Sequence, residues 1–257
     1  MPPARKRFGQ HFLHDRNIVE CIIRAIDPKP GDRLLEIGPG YGAITYPLLE
    51  RCKSMSAVEI DRDLIAELTR KASDLGELRL FNADILEFDL NQLPGQDPYR
   101  LVGNLPYNIS TPLMFHLLES VHRIVDMHFM VQKEVALRIV ASPGDANYGR
   151  LSVMLQQRCD CEYLFDVAPG CFSPPPRVDS AVIRMLPLPA PRHDHGDDAV
   201  FSRIVQTAFS QRRKTIANSL KSLLDRNQLE RCGIDPKLRA ENLSVGDYAR
   251  LSKLITP

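Results

Sequence analysis

The chain has 257 residues, of which 44% are hydrophobic and 25% are charged. These values are typical of a folded globular protein and exclude a fibre, a disordered chain and a peptide. With 33 basic and 32 acidic residues the net charge is +1, so the total charge by itself favours no class of partner.

The six cysteines follow no disulfide framework, and the N-terminal MPPARKR lacks the apolar core of a secretory signal. No apolar run reaches the roughly 18 to 20 residues that a membrane span needs. The close pair Cys159 and Cys161 lacks the spacing and the partner ligands of a zinc site, and we interpret it as packing in a strand. We expect a soluble, cytoplasmic protein with no metal and no membrane partner, and we expect it to act as a monomer.

Short β-branched or leucine-rich runs alternate with helical stretches along the first half of the chain. A spacing of about 22 residues between these runs fits strand-helix-strand units in a parallel sheet. Residues 1–189 are therefore predicted to form a doubly wound α/β domain. The predicted strands lie near residues 33–37, 54–60, 78–81, 100–103 and 127–131, and the predicted helices span 17–26, 41–50, 61–72 and 111–118.

The composition changes over residues 186–198, where LPLPAPRHDHGDD predicts a linker. Apolar residues then fall at helical spacing from Phe201 to Leu224, so residues 190–257 are predicted to form a small all-α domain. Residues 1–189 hold 21 basic and 24 acidic residues, and residues 190–257 hold 12 and 8. The neutral total therefore conceals a net charge of −3 and one of +4.

Two basic patches emerge from this division. One is formed by residues 5–7, and the other lies within residues 199–224, which contain no acidic residue. Taken alone, such runs are usually solvated faces, and a nucleic-acid partner is the alternative.

Residues 36–45, EIGPGYGAIT, follow a predicted strand and open a predicted helix, the context in which a glycine turn lets a ligand approach the backbone. The G-x-G-x-G spacing differs from the G-x-G-x-x-G of dinucleotide enzymes, so a pyrophosphate is not expected. Glu59 ends the next strand, where a carboxylate accepts hydrogen bonds from both hydroxyls of a ribose. Asp84 ends the third strand and can receive the amino group of an adenine.

Taken together, these elements predict an adenosine-containing cofactor and resemble the class I S-adenosylmethionine-dependent methyltransferases. Taken one at a time, the glycine turn could be only a tight connection, and each carboxylate only a surface residue or a helix cap.

The tetrapeptide NLPY at residues 104–107 follows the fourth predicted strand and resembles the (Asn/Asp)-Pro-Pro-Tyr motif of enzymes that methylate amide or amine nitrogens. An adenine N6 is a poor nucleophile because its lone pair is delocalised into the ring, so acceptors must engage its hydrogens during attack. The side-chain oxygen of Asn104 and the carbonyl of Leu105 supply two acceptors. Pro106 holds that carbonyl outward, and Tyr107 offers a flat face to the base.

No strong general base is needed at this site, because the nitrogen becomes acidic once it carries the new methyl group. Elsewhere in a chain, NLPY would be interpreted as a proline turn with a half-buried tyrosine. Residues 171–180, CFSPPPRVDS, provide a second aromatic face at Phe172 on a stiff proline loop. A core phenylalanine beside a turn explains the same pattern.

Further segments resemble the bacterial small-subunit ribosomal RNA adenine dimethyltransferase family over essentially the whole chain. They are KRFGQHFL at 6–13, MHFMVQKE at 127–134, YGRLS at 148–152, FSPPPRVDS at 172–180 and QRRK at 211–214. The resemblance implies a Rossmann-like class I methyltransferase domain, a small C-terminal all-α domain and S-adenosyl-L-methionine as cofactor. It also implies that two adjacent adenosines near the 3′ end of 16S rRNA, in the 30S subunit or its precursor, become N6,N6-dimethyladenosines through four methyl transfers.

The resemblance also implies the site residues. The cofactor set is His11, Leu13, Gly38, Gly40, Glu59, Asp84, Ile85 and Asn104, and the target-base set is Asn104, Leu105, Pro106, Tyr107 and Phe172. Many family members have Asn where this chain has His11, so a backbone contact there is a firmer expectation than a side-chain contact. The basic patches become an expected RNA surface with phosphate contacts from Arg5, Lys6, Arg7, Arg212, Arg213 and Lys214.

Other functions share these motifs. Enzymes that act on large-subunit rRNA and a mitochondrial transcription factor branch are related, and the C-terminal segment argues against both. A non-catalytic ribosome-assembly factor with a vestigial site is a second hypothesis. A DNA adenine methyltransferase is a third, disfavoured because no separate base-reading module is visible.

Overall fold

A computed structural model describes residues 11–211 and 213–255. The chain divides into two compact units, one of Met1–Ala136 with Glu162–Pro187 and the other of Leu137–Cys161 with Leu188–Pro257. This division differs from the single predicted break after residue 189. The last break falls after Pro187, and residues 137–161 group with the C-terminal unit.

Residues 137–161 join the second unit because their apolar side chains are buried in its core. Ala141, Tyr148 and Val153 lie in one apolar cluster with Ile204 and Tyr248. The proline-rich segment near residue 189 changes the composition of the chain, whereas the breaks at 136 and 161 leave no such mark. The sequence therefore predicts one boundary where the structure has three.

The helices and strands alternate through most of the chain. In chain order the described residues form β1 (Phe12–Leu13), α1 (Arg16–Ile26), β2 (Leu34–Ile37), α2 (Thr45–Cys52), β3 (Ser54–Glu59), α3 (Arg62–Ala72), β4 (Glu77–Asn82), β5 (Tyr99–Asn104), α4 (Ser110–Glu119), β6 (Ile124–Gln132), α5 (Lys133–Val140), α6 (Arg150–Arg158), β7 (Cys159–Val167), β8 (Phe172–Ser173), β9 (Ser180–Pro187), α7 (Asp198–Phe209), α8 (Ile216–Ser219), α9 (Arg226–Arg231) and α10 (Val245–Ser252).

Within the described residues, seven strands form one sheet in the order β4-β3-β2-β5-β6-β9-β7. Five neighbouring strands of this sheet, β4, β3, β2, β5 and β6, pair in parallel. Strand β9 pairs antiparallel with β6. All five predicted strands are confirmed with their ends shifted by a few residues, while β9 and the two-stranded pair of β1 with β8 had no counterpart in the prediction. The carboxyl ends of β2, β3, β4 and β5 meet at one edge of the sheet, where α/β proteins bind ligands.

Local chemistry accounts for the helices of this unit. The Asp15 carboxylate accepts hydrogen bonds from the backbone of Asn17 and Ile18 and so caps α1, which buries Ile23 and Ile26. Asp61 caps α3 in the same way. Helix α2 begins at Thr45, four residues later than predicted, because the glycine turn before it continues to Gly42.

The second unit is helical, as predicted for the C-terminal segment. Its core includes Phe201, Ile204 and Leu229. The polar segment before α7 begins after Pro187, where β9 ends, and not at residue 186. It is anchored by His195, whose buried ring accepts a hydrogen bond from the Gln157 amide and donates one to the Asp198 carboxylate.

The close cysteine pair lies on β7, as predicted, and burial raises the pKa of both thiols, that of Cys159 to about 12. All six cysteines are free. In the part of the chain that the structure describes, no three His, Cys, Asp or Glu side chains are grouped so that they could hold a metal ion. Within the same residues, no helix is both long enough and apolar enough to cross a membrane.

Candidate active site

A cavity of about 300 Å³ lies at the carboxyl ends of the central strands. This volume is at the lower end of the roughly 300 to 1,000 Å³ that small-molecule sites occupy. The cavity brings together the whole predicted cofactor set and four of the five predicted target-base residues. The lining includes His11, Leu13, Gly38, Gly40, Glu59, Asp84, Ile85, Asn104, Leu105, Pro106 and Tyr107.

The glycine turn forms one wall of this cavity. Gly38 and Gly40 have φ angles of 68° and 57°, in the left-handed region that favours glycine. The backbone N–H of Gly38 donates to the carbonyl of Val58, which ties the turn to the end of β3. A Cβ at Gly40 would lie 3.1 Å from the ring of Phe12, so the ring would have to shift by a few tenths of an ångström to admit it.

Glu59 is held at the end of β3 by backbone donors on both sides. Its Oε1 accepts from the N–H of Asp61 at 2.8 Å, and its Oε2 accepts from the N–H of Gly40 at 3.1 Å. The side chain is only 4% exposed, and burial raises its pKa while these two bonds oppose the rise. Each oxygen keeps a further lone pair for a ligand in the cavity.

Asp84 follows β4, the neighbour of β3 in the sheet, and also lines the cavity. Its Oδ1 accepts from the backbone N–H of Leu86 at 2.9 Å, which fixes the carboxylate against its own turn. Ile85 is buried beside it and gives the wall an apolar surface. The arrangement places a carboxylate beside an apolar side chain, as the sequence predicts.

Asn104 ends β5 and is oriented by a distant segment. Its Nδ2 donates to the backbone carbonyl of His11 at 2.9 Å, so the side-chain Oδ1 is left to accept. The backbone N–H of Leu105 donates to the carbonyl of Met130 at 3.0 Å. The loop then turns through Pro106, whose carbonyl accepts from the N–H of Ile109.

Tyr107 is contacted on its face and at its tip. The ring of His11 stacks on it with the centroids 5.3 Å apart and the planes 29° apart. Its hydroxyl shares a 2.6 Å hydrogen bond with the hydroxyl of Ser180. Burial raises the pKa of Tyr107, so the phenol stays protonated through the neutral range.

Comparison with known proteins decides the family. The family model described as "Ribosomal RNA adenine dimethylase" matches residues 1–257. The chain belongs to the ribosomal RNA adenine dimethylase family. A relative from Thiobacillus denitrificans, named "Ribosomal RNA small subunit methyltransferase A", is 54% identical over 98% of each chain. One of the same name from Alcanivorax borkumensis is 52% identical over 99% of this chain and 91% of its own.

Solved structures agree with this family assignment. A dimethyladenosine transferase from Plasmodium falciparum superposes with a TM-score of 0.80 at 26% identity, over 94% of this chain and 96% of its own. The 23S rRNA methyltransferase ErmE superposes with a TM-score of 0.73 at 27% identity, over 94% and 98%. The Rossmann-like class I methyltransferase fold with a small helical C-terminal part is thus that of this dimethylase family.

His11 lines the cavity with the rest of the predicted cofactor set, whereas Phe172 does not. His11 contributes its backbone carbonyl to Asn104 and its ring to Tyr107, and its Nδ1 donates to the carbonyl of Pro174 at 2.8 Å. Phe172 is 2% exposed, pairs with Leu13 across β1 and β8, and does not line the cavity. Phe172 is therefore a core residue here, which is the alternative that the sequence left open.

Sequence reasoning did not assign a role to Glu36. This residue lines the cavity from β2, is 1% exposed, and its Oε2 has no hydrogen-bond partner within residues 11–211 and 213–255. Burial raises the pKa of its carboxyl to about 8, and the nearby Glu59 carboxylate adds to the rise. The signal was present in the sequence, because one acid interrupts the apolar strand LLEI.

Of the basic residues that the sequence assigns to RNA, two are described. Arg213 and Lys214 are solvent-exposed after α7. The other four, Arg5, Lys6, Arg7 and Arg212, lie outside the described residues.

Proposed function

We propose that the protein transfers methyl groups from S-adenosyl-L-methionine to N6 of two adjacent adenosines near the 3′ end of 16S rRNA, in the 30S subunit or its precursor. The products are N6,N6-dimethyladenosines, and the modification contributes to small-subunit maturation. The observation that carries the proposal is the position of Asn104, an amide with its oxygen free to accept, in the wall of the cavity that contains Glu59 and Asp84. Membership of the dimethylase family supports the reaction, and the names of the bacterial relatives support the small subunit as its substrate.

The residues of the cavity fit S-adenosyl-L-methionine, which when bound supplies a methyl group on a positively charged sulfur. Glu59 would accept from the ribose hydroxyls, since backbone donors already hold its carboxylate in place. Asp84 would accept from the adenine amino group, and Ile85 would pack on the ring. Glu36 adds a buried oxygen in need of a donor, which fits an ammonium group.

The chain's own residues prepare the target nitrogen. Asn104 Oδ1 and the Leu105 carbonyl would accept from the two N–H groups of N6, which stabilises the more tetrahedral geometry reached during attack. The His11 carbonyl holds the Asn104 amide so that its oxygen, and not its nitrogen, faces the base. The face of Tyr107 would support the base once it is taken out of the stack. The methylated nitrogen then loses its proton to water.

The RNA would also be held outside the cavity. Arg213 and Lys214, together with Arg5, Lys6, Arg7 and Arg212, are the proposed phosphate contacts.

The deciding assay uses labelled S-adenosyl-L-methionine and 30S subunits that lack the modification. We expect label in dimethyladenosine of 16S rRNA, and its absence would refute the proposal. Duplex DNA added as a competitor should leave the rate of 30S methylation unchanged. A DNA adenine methyltransferase, the alternative, would bind the duplex and methylate the 30S subunits more slowly. In cells, Asn104→Ala should reproduce the assembly defect of a deletion, and a near-normal phenotype would favour an assembly factor that only binds.

A further inference from the structure

Ser180 is a buried hydroxyl that reaches the candidate active site from another part of the chain. It begins β9, is 0% exposed, and lies opposite Gln132 in the pairing of β9 with β6. A buried hydroxyl requires a hydrogen-bond partner, and the Ser180 Oγ has one in the Tyr107 hydroxyl at 2.6 Å. The two residues are 73 positions apart, so the bond joins the start of β9 to the loop after β5.

This bond determines where the Tyr107 ring can lie. The backbone of Tyr107 is fixed close by, because its carbonyl accepts from the Ser110 hydroxyl at 3.1 Å. His11 covers part of one ring face. The remaining freedom is rotation of the side chain about its Cα–Cβ bond, which swings the whole ring. The hydroxyl lies farthest from that bond, so its hydrogen bond to Ser180 opposes the swing.

The loop that leads to Ser180 is itself attached to the site. Phe172 and Ser173 pair with Leu13 and Phe12 in the short sheet of β1 and β8. The carbonyl of Pro174 accepts from the His11 ring, and the carbonyl of Asp179 accepts from the backbone N–H of Lys133. Ser180 therefore stands on a backbone held at both ends, which allows it to serve as a fixed point for Tyr107.

We propose that Ser180 is a positioning residue for methyl transfer, which holds the Tyr107 ring in the place where it can support the target adenine. The inference rests on the proposed function, because it assigns Tyr107 to the base. It adds a residue outside the NLPY motif that acts through Tyr107 and touches neither the cofactor nor the RNA.

The test compares Ser180→Ala, Tyr107→Phe and the double variant with the unchanged protein. Ser56→Ala is the matched control, a buried serine on β3 that does not line the cavity. We expect Ser180→Ala to lower kcat on unmodified 30S subunits by roughly 3- to 10-fold, the effect of one lost hydrogen bond. The KM for the subunit and the calorimetric Kd for S-adenosyl-L-methionine should stay the same, because neither the proposed phosphate contacts nor the proposed cofactor contacts involve Tyr107.

The double variant separates a positioning role from a general loss of stability. If the hydroxyl bond is what matters, the double variant should be no slower than Tyr107→Phe, whereas independent effects would multiply. Multiplying losses, or a Ser180→Ala protein with the kcat of the Ser56→Ala control, would overturn the proposal. If Ser180→Ala fails to fold, Tyr107→Phe removes the same bond from the other side, and an unchanged kcat there would overturn it equally.

A second measurement keeps this inference separate from the proposed function. The rotamer populations of Tyr107 about its Cα–Cβ bond, followed by NMR couplings with specifically labelled tyrosine, should spread over more than one state in Ser180→Ala and stay the same in Ser56→Ala. A wild-type protein that methylates no 30S subunit would refute the proposed function. Unchanged rotamer populations in Ser180→Ala would refute the role of Ser180.

Discussion

The two sides of the cavity are built in different ways. The cofactor half is held by hydrogen bonds between residues that are close in the chain. We define it as Glu36, Gly38, Gly40, Glu59 and Asp84. Glu59 is fixed by donors 2 and 19 positions away, and Asp84 by one 2 positions away.

The base half, defined as Asn104 to Tyr107 with His11, depends on partners far along the chain. Asn104 is oriented by a residue 93 positions away, Tyr107 by one 73 away, and His11 by one 163 away. Binding of the cofactor should therefore tolerate changes in remote segments, and positioning of the base should not.

The sharpest way to separate the two halves is Asn104→Ala. The change removes the proposed side-chain acceptor for N6, and loss of such a preorganised group costs roughly 100- to 1,000-fold in kcat. The Kd for S-adenosyl-L-methionine should rise by less than about tenfold, since the cofactor keeps its other contacts. Single-turnover methylation and calorimetry measure the two effects. An equal fold-loss in kcat and in affinity for S-adenosyl-L-methionine would show that the two halves do not act separately.

Glu36 tests whether the cofactor half has its own pH dependence. Because burial raises its pKa to about 8 in the folded chain, its contribution to stability is present below the unfolded value near 4.5 and is lost as pH rises towards 8. The free energy of unfolding of the cofactor-free protein should fall over that window by roughly 3 to 5 kcal/mol relative to Glu36→Gln. Urea titrations at several pH values would reveal the difference, and parallel curves would contradict it.

Asp84→Ala should weaken binding of S-adenosyl-L-methionine by about 1 to 3 kcal/mol, the loss expected when a buried polar partner is removed. Asp84→Asn, which keeps the size of the side chain and one acceptor, should lose less. Calorimetry gives both values. An affinity equal to that of the unchanged protein would remove Asp84 from the cofactor half.

The smallest effects should come from substitutions of basic surface residues that belong to neither half of the cavity. Arg213→Ala and Lys214→Ala should each lower the salt slope of 30S binding by about 1 and leave cofactor affinity unchanged. Lys237→Ala, another exposed basic residue of the same unit, is the control. A slope unaffected by all three changes would assign Arg213 and Lys214 to ordinary solvated surface.

The same contrast explains how far the sequence could predict the site. Glu59 and Asp84 were predicted because each stands at a strand end, next to the elements that hold it. The stacking of His11 on Tyr107 and the bond from Ser180 could not be predicted, because they depend on how β1, β8 and β9 are placed. Phe172 was assigned to the base for its residue type, and its pairing opposite Leu13 buries it instead.

The fold shows the same limit. The largely buried parallel strands β2 and β3 agree with the prediction to within a residue or two. The antiparallel β9 and the return of residues 137–161 to the second unit are set by long-range packing, which no local pattern in the sequence records.

The position of β9 has a consequence for the order in which a ribosome makes this protein. The carboxylates of the cofactor half all lie within the first 84 residues, whereas the partner of Tyr107 is residue 180. A nascent chain that has emerged only as far as β6 carries every side chain of the cofactor half, but it cannot yet fix Tyr107. The proposed capacity to orient an RNA base is thus completed late in translation.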